Sequence, residues 1–474
     1  MNLLSPTWTA LLYLVAAVCF ILALRGLASP RTARRGNLVG ALGAVIAMVT
    51  VFVSTEMDNL VAILVTILVG SAVAVPVSRR VKMTSMPQLV ALFNGVGGGA
   101  AALVALLELE AVSPKNCVAI PGQDCGGDAP VGVLLAIAFT VLVGAVSFSG
   151  SVVTFLKLQE LMTTRPVILP GQRWLMIGSV AVAVLLAVLT VTSGGIVLPA
   201  VLLLVAGLAV GLLLVLPVGG ADVPIVISLL NAFTGLTVAA SGFVLDNVLL
   251  LVAGTLVGAS GTILTRAMAS AMGRSVSGIL FGALQGGSTA GSTTVSDRPV
   301  RSSSAEDVAI LLGYAQTVVV VPGYGLAVAQ AQHTMAELAS ALEARGTEVV
   351  YGIHPVAGRM PGHMNVLLAE ANVPYEVLAE MDEVNPRFRT ADVALVVGAN
   401  DVVNPAAKTS PGSPIYGMPI LDVNEAQQVV FLKRSMRPGF AGIENELLSE
   451  PQTTLLFGDA KDSLTKVLAA VKGL

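Results

Sequence analysis

Charge is scarce in this chain: 12% of its 474 residues are Asp, Glu, Lys or Arg, against 55% apolar, and the mean hydropathy is +0.85. Those proportions exclude an ordinary soluble protein, whose charged share is about twice as large. Histidine is scarcer still; none precedes His333, and the other two are His354 and His363. Three cysteines are too few for a disulfide framework. A net charge of −3 and a pI near 5.7 give no basic footprint for nucleic acid. Met1–Ala10 has no basic stretch and the first apolar run has no cleavage site, so that run reads as a retained span and not a signal peptide.

What the chain does have is apolar runs of membrane length. About nine spans follow from length and flanking charge: Thr9–Ala23, Leu38–Val53, Leu60–Val77, Pro87–Leu107, Val131–Leu156, Trp174–Val191, Ile196–Pro217, Pro224–Val244 and Val248–Met268. Their Gly and Ala content predicts close helix packing. Of the 26 Lys and Arg, 13 precede Ser275 and 13 follow it, although the later part is much the shorter. The chain therefore reads as a membrane α-helical bundle over 1–274, a flexible Gly- and Ser-rich linker over 275–305 and a soluble domain over 306–474. Arg25, Arg31, Arg34, Arg35, Arg79, Arg80, Lys82, Lys157, Arg165, Arg173, Arg266 and Arg274 fall on one side of the membrane, and Lys115 alone on the other. That asymmetry puts the N-terminus outside and the soluble domain in the cytoplasm of a multi-pass protein of the inner (plasma) membrane. The outer loop Glu108–Pro130 holds Cys117 and Cys125, for which two readings stand: a disulfide on an oxidising side, or two cysteines merely near in sequence.

The soluble part is organised around Thr317–Gln332, TVVVVPGYGLAVAQAQ. Thr317–Val321 is β-branched and too short to span a membrane, as a buried parallel strand would be. Pro322 and Gly323 end it, Gly325 follows, and a helix-forming run begins at Ala327 and continues through HTMAELASALEA. Strand, glycine turn and helix form the setting in which a G-x-G-x-x-G/A pattern, here Gly323, Gly325 and Val328, becomes a dinucleotide site. The first glycine makes the turn, the second admits a pyrophosphate, and the helix N-terminus faces the phosphates. The alternative is a βα turn with no ligand. Further strands are expected at Glu348–His354, Asp392–Ala399, Val429–Lys433 and Thr453–Phe457, with helices at Gln330–Ala344, Met364–Ala371 and Lys461–Val471. The alternation predicts a Rossmann-like, doubly wound parallel sheet with its ligand at the carboxyl ends of the strands.

An NAD site usually places a carboxylate at the end of the second strand. Here that strand ends in His354 and Pro355, with no acid to repel a 2′-phosphate. Lys433, Arg434 and Ser435 close a later strand and suit a phosphate monoester, although a solvated basic end is the plainer explanation of those three residues alone. The balance favours NADP over NAD. Val356–Gly362, Gly398–Asn404 and Gly458–Lys461 are further glycine-bearing, polar strand ends.

The segments GYGLAVAQAQ, IHPVAGRMPGHMNVLLAE, VVGANDVVNPAA, FLKRSMRPGFAG and LFGDAK resemble the β subunit of proton-translocating NAD(P) transhydrogenase, and the likeness extends over essentially the whole chain. The resemblance implies a membrane domain followed by a cytoplasmic NADP(H) domain, with NAD(H) on a partner α subunit that adds further transmembrane helices, and a dimer of the whole complex. It implies that NADP(H) contacts Tyr324, Val356, Ala357, Gly358, Arg359, Met360, Pro361, Gly398, Ala399, Asn400, Asp401, Val402, Gly417 and Met418. To these it adds Lys433, Arg434, Ser435, Met436, Arg437, Pro438, Gly439, Phe440, Asp459 and Ala460, with the KRSMRPGFAG segment acting as a lid and the dinucleotide lying in a reversed orientation. Phe440 departs from the tyrosine of many relatives and lacks its hydroxyl.

Direct hydride transfer between two nicotinamides needs positioning and electrostatics, not a nucleophile, base or metal. The expectation is a Re/Si-specific transhydrogenase with no catalytic side chain and no metal site. One fingerprint cannot hold both nucleotides, so a second, NAD(H)-binding subunit is required. NADH and NADPH have nearly equal reducing power, whereas one proton crossing about 150 mV supplies roughly 3.5 kcal/mol, so inward proton movement gives the reaction a direction. Polar residues in the spans are the candidates for that path. Asn94, Asn231 and Asp222 stand there, with interhelical hydrogen bonds as the plainer reading of the asparagines and a helix cap as that of Asp222. The resemblance implicates Asp222, Asn231, Gly254, Gly258 and Gly261 in coupling; the position of Asn94 is histidine in some members, and a histidine relay within this membrane part is excluded. The rival class is a channel or transporter gated by a nucleotide-sensing domain.

Overall fold

The computed structural model describes residues 5–28, 30–54, 59–81, 85–112, 130–159, 161–163, 166–219, 222–271, 275–281, 300–358, 362–411, 413, 415–439 and 441–474. Lys115, Cys117, Cys125, Arg359, Met360, Pro361 and Phe440 lie outside the described residues. The chain divides into two compact units: Met1–Thr163 with Val167–Pro217 and Val226–Leu264, and Thr164–Pro166 with Val218–Ile225 and Thr265–Leu474.

The first unit is built on α1 (Pro6–Leu27), α2 (Pro30–Ser54), α3 (Leu60–Arg80), α4 (Met86–Val112), α5 (Val131–Leu158), α6 (Gln172–Thr192), α7 (Val197–Val215) and most of α8 (Val223–Val244) and α9 (Val248–Ala271), whose residues 223–225 and 265–271 fall in the second. Among the described residues these nine are long and apolar enough to cross a membrane, at the nine places the apolar runs predict. Most outrun their apolar stretch, because helix continues into polar flanks. α5 is the packed centre. Its small residues let neighbours approach to backbone contact: a Cβ on Gly144 would lie 2.6 Å from the Gly98 carbonyl oxygen of α4, and one on Gly207 of α7 would lie 2.8 Å from the Ala145 Cβ. Lys157, buried near the end of α5, donates to the Val215 and Leu216 carbonyl oxygens at 3.2 and 2.6 Å and so caps α7. Gln88 does the same for α5 through the Leu158 carbonyl oxygen at 3.1 Å.

The second unit carries α10 (Val276–Phe281), α11 (Ala305–Tyr314), β1 (Thr317–Pro322), α12 (Tyr324–Val328), α13 (Gln332–Glu343), β2 (Glu348–Ile353), α14 (His363–Glu370), β3 (Leu378–Glu380), α15 (Met381–Phe388), β4 (Val393–Val397), α16 (Ala406–Thr409), β5 (Gln428–Lys433), β6 (Thr453–Phe457) and α17 (Ala460–Gly473). The six strands form one parallel sheet in the order β3-β2-β1-β4-β5-β6. That is the doubly wound order of a Rossmann-like domain, with its switch point between β1 and β4. Alternation along the strands puts Val319, Val321, Ala394, Val396, Val429 and Phe431 on one face with Val384, Phe388 and Leu447. Burying each such side chain contributes roughly 1.5–3 kcal/mol, which is why β1 reads as an unbroken β-branched run.

Three sequence expectations change. The helix expected from Ala327 is broken: α12 ends at Val328, Gln330 takes φ +51°, and α13 starts at Gln332. The turn is closed by Ala331 N–H donating to the Leu326 carbonyl oxygen at 3.1 Å. β3, α11 and α15 add elements too short or too mixed in pattern to stand out. Within the expected linker, residues 276–281 are helical, and 301–303 run beside β6, with Ser303 N–H donating to the Leu455 oxygen at 2.9 Å and Leu455 N–H to the Arg301 oxygen at 2.8 Å. That segment covers an otherwise open sheet edge.

If α4 and α5 pack as described, Gly144→Val destabilises the detergent-solubilised chain by about 1–3 kcal/mol. Gly178→Val, whose Cβ would meet nothing within 4 Å, stays within about 0.5 kcal/mol of the parent. Thermal unfolding of the two variants checks this; equal losses contradict the packing.

Candidate functional site

The carboxyl ends of the strands bring together most of the soluble residues singled out above. β1 ends in the Gly323 turn and β4 in Gly398, and the two chain crossings are laced together: Gly323 N–H donates to the Val397 oxygen and Gly325 N–H to the Gly398 oxygen, each at 2.9 Å. Gly398 has φ +71°, and its missing Cβ would lie 2.5 Å from the Gly325 Cα, so only glycine fits there. The close approach these glycines permit is therefore of backbone to backbone. Gly325 serves this packing in the structure, where the fingerprint alone suggests room for a pyrophosphate. Val328 ends α12 and is half exposed.

Beyond β4, the loop 398–404 meets the segment that follows β5. Lys433 Nζ donates to Asn400 Oδ1 at 2.9 Å, and Asn400 Nδ2 donates to Asp401 Oδ1 at 2.9 Å. The other Asp401 oxygen accepts from Ala441 N–H at 3.0 Å. A Cβ on Gly439 would lie 2.5 Å from Asp401 Oδ1 and 2.7 Å from Asn400 Nδ2, so the segment is threaded against this pair where it has no side chain. Residues 434–438 between are exposed, and no described residue pairs with the Arg434 or Arg437 guanidinium. Burial lowers the Lys433 pKa below the usual lysine value, and the Asp401 charge opposes that shift. β6 joins the same edge through Gly458 N–H, which donates to the Lys433 oxygen at 3.1 Å. Asp459 caps α17, accepting from Lys461 N–H at 2.9 Å, and Ala460 begins that helix, buried.

On the β2 side, the ring of His354 is a bridge. Val356 N–H donates to its Nδ1 at 3.2 Å, so the proton sits on Nε2, which donates to the Pro419 oxygen at 2.8 Å. The bridge fixes the chain beside Gly417, at φ +82°, and Met418, whose side chain packs with Ala406, Ala407, Ala441 and Ile443. Ala357, Ala399 and Met418 are buried and shape the floor more than they present polar groups; Val402 is half-buried. Gly358, at φ +111°, lies against the buried His363 ring, and Tyr324 is tilted over that ring with centroids 6.3 Å apart.

In the first unit, Asn94 is buried among α4 and α5 and donates to Ser151 Oγ at 2.9 Å and Ser147 Oγ at 3.3 Å. Ser147 Oγ is 2.6 Å from Thr234 Oγ1 of α8 and donates to the Leu230 oxygen at 3.0 Å. Asn94 Oδ1 is buried with no hydrogen bond from described residues. Asn231, half-buried, precedes Thr234 by three residues and so lies one turn away on the same side of α8, but no hydrogen bond joins it to Asn94 among the described residues. Gly254, Gly258 and Gly261 form the seam of α9 on α8: missing Cβ atoms there would lie 2.6 Å from the Gly235 oxygen, 3.0 Å from Leu236 Cδ2 and 3.0 Å from the Ala232 Cα. Asp222, which falls in the second unit, stands immediately before α8, its N–H donating to the Gly219 oxygen at 3.4 Å.

Sequence reasoning missed Ser147, Ser151, Thr234, the buried Asn445 and the bridge made by His354. Ser147 and Ser151 carried a signal, being hydroxyls four residues apart inside an apolar span. The soluble edge fits a dinucleotide carrying an extra phosphate monoester: it has cations at the end of β5, a backbone crossing that only glycine allows, and no acid at the end of β2.

Burial keeps His354 neutral by lowering its pKa from the ordinary 6.5, against the bond to Pro419. The unfolded ring takes up a proton first, so the stability it contributes is complete above pH about 6.5 and is lost as pH falls through the lower folded value. The parent chain should therefore lose more thermal stability between about pH 7 and pH 5 than His354→Gln does. An identical pH dependence in the two contradicts the bridge.

The profile of the family described as NAD(P) transhydrogenase beta subunit matches residues 9–470. The chain is 48% identical over 470 residues to NAD(P) transhydrogenase subunit beta of Rhodospirillum rubrum, an alignment covering 99% of this chain and 100% of that relative. The same figures hold for the protein of that name from a designated strain of the species. A match of this identity, end to end across both the apolar helices and the doubly wound sheet, means that the chain belongs to the NAD(P) transhydrogenase beta subunit family.

Proposed function

We propose that this chain is the subunit of a proton-translocating NAD(P) transhydrogenase that holds NADP(H), while an α subunit, which also supplies further membrane helices, holds NAD(H). The observation that carries the reading is the cationic stretch at the end of β5, Lys433, Arg434 and Arg437, together with a β2 followed by His354 and no acid. Bound there, NADP(H) supplies a nicotinamide that accepts or gives up a hydride. The residues of this chain bind, orient and exclude water. Lys433 with the free guanidiniums meets the phosphate monoester, the Gly323–Gly398 crossing supports the dinucleotide, and the 434–441 segment covers it. Residues 359–361 and Phe440 complete the expected set. No proton has to move at this edge for a hydride to pass, so no general base is needed.

The proton belongs to the long apolar helices and their flanks. Asn94, Ser147, Ser151 and Thr234 form a hydrogen-bonded polar cluster among apolar helices, the setting in which intramembrane polar groups mark ion pathways. Asn231 extends it along α8, Asp222 ahead of that helix is a separate candidate, and the glycine seam of α9 lets the two helices reset against one another with small movements. Charge asymmetry supports an external N-terminus and a cytoplasmic nucleotide domain over 306–474, joined by the 275–305 segment, in the plasma membrane; inward proton movement is supported by the reaction's lack of direction of its own. The whole complex is proposed as a dimer.

Two outcomes test the reading. NADH deuterated at one face of C4, mixed with the complex and NADP⁺ in water, should pass its deuterium to NADPH with stereochemistry of the Re/Si type; loss of label to solvent contradicts direct transfer. Asp222→Asn should abolish proton pumping by vesicles while the complex still binds NADP(H); normal pumping removes Asp222 from the path.

A further inference from the structure

The ammonium of Lys433 is held by an amide and not by an acid. Among the described residues no carboxylate oxygen lies within 4.0 Å of it, although Asp401 is a neighbour. The Asn400 side chain stands between the two, its oxygen towards the ammonium and its NH₂ towards the carboxylate. The opposite orientation would set donors against a cation and a carbonyl against an anion, so both neighbours fix the amide. Asp401 is further occupied by Ala441 N–H.

Asn400 is itself set from behind. Asn445, 5% exposed, donates through Nδ2 to the Asn400 backbone oxygen at 3.0 Å while its Oδ1 accepts from Leu447 N–H at 3.0 Å. One side chain thereby ties the β4 loop to the turn after the 434–441 segment. Asn400 holds φ −143° and ψ −65°, outside the regular regions, and needs such a tie to stay there.

The structure assigns Asn445 as a positioning residue for recognition of the phosphate monoester that distinguishes NADP(H) from NAD(H): by anchoring Asn400 it keeps an amide between Lys433 and Asp401. Lys433 then exchanges a neutral acceptor for the incoming phosphate without breaking an ion pair. The assignment rests on reading this edge as the NADP(H) site.

Asn445→Asp preserves size and the acceptor for Leu447 N–H but turns an oxygen towards the Asn400 carbonyl. In the purified complex, equilibrium dialysis of labelled NADPH should show about a tenfold weaker Kd for NADPH, with the concentration at which NADH displaces it giving an unchanged NADH Kd for the same edge, the effect of losing one charge-assisted contact. In a Lys433→Ala background the same change should matter less than about twofold. Asn400→Asp, which offers Lys433 a carboxylate partner, should lower the NADPH preference at least as far. Nucleotide-free thermal unfolding of each variant records its fold. The assignment is overturned if Asn445→Asp keeps the parent preference, weakens both nucleotides alike, or acts undiminished without Lys433; should that variant fail to assemble, an unchanged preference in Asn400→Asp overturns it. A parent complex in which NADH displaces bound NADPH as readily as unlabelled NADPH does would instead sink the site reading itself.

Discussion

The contact on which the soluble unit depends is the crossing of β1 and β4. These central strands run side by side, and their chains leave the sheet in opposite directions, which opens a crevice at the carboxyl edge. The crevice keeps its shape because Gly323, Gly325 and Gly398 pass at backbone distance, joined by two main-chain hydrogen bonds. Every other feature of the edge is referred to that crossing. Asn400 and Asp401 follow Gly398 directly, the β5 lysine reaches across to Asn400, and β6 is tied to Lys433 through Gly458. A side chain at the crossing would move the loop, and with it the acceptor that places the lysine.

The membrane unit obeys a different constraint. Lipid offers no hydrophobic gain for helix association, so contact depends on small residues and on hydrogen bonds that have nowhere else to go. α5 meets both demands: Gly144, Ala145 and Gly150 let α4, α7 and α8 close in, while Ser147 and Ser151 meet Asn94 and Thr234. Such hydrogen bonds between neutral groups are each worth only about 1 kcal/mol, small enough to be exchanged between two helix arrangements. The glycine seam of α9 on α8 has the same quality. A tightly packed seam built on glycines, with Ala232 and Leu236 opposite, has few rotamers to rearrange when one helix shifts along the other.

Much of this could be read from the chain itself. Nine apolar runs became nine helices, and five strands were marked where they occur, because burial on both faces imposes β-branched runs and lipid imposes length. β3 is three residues long and gives no such signal, and the turn at Gln330 is set by the packing of Leu326 and Ala331 under the sheet, not by a breaker residue. The site was legible as a set of strand ends but not as a set of contacts. Asn400 and Asn445 lie 45 residues apart, and nothing in either segment announces that they will touch. Lys433 shows the same limit: its type suggests a phosphate, while the amide that holds it comes from the neighbouring strand.

The hydride transfer proposed at the carboxyl edge of the sheet and the polar cluster among the apolar helices have no chemistry in common, so their joining in one chain is the central claim. It is tested most directly with the complex, including its α subunit, sealed into liposomes with nucleotides outside. An imposed gradient that drives protons out of the lumen, towards the nucleotide side, should accelerate NADP⁺ reduction by NADH several-fold and shift its end point by up to a few hundredfold for each proton moved at about 150 mV, both effects vanishing with an uncoupler. The same rate and end point with and without the gradient would contradict the account.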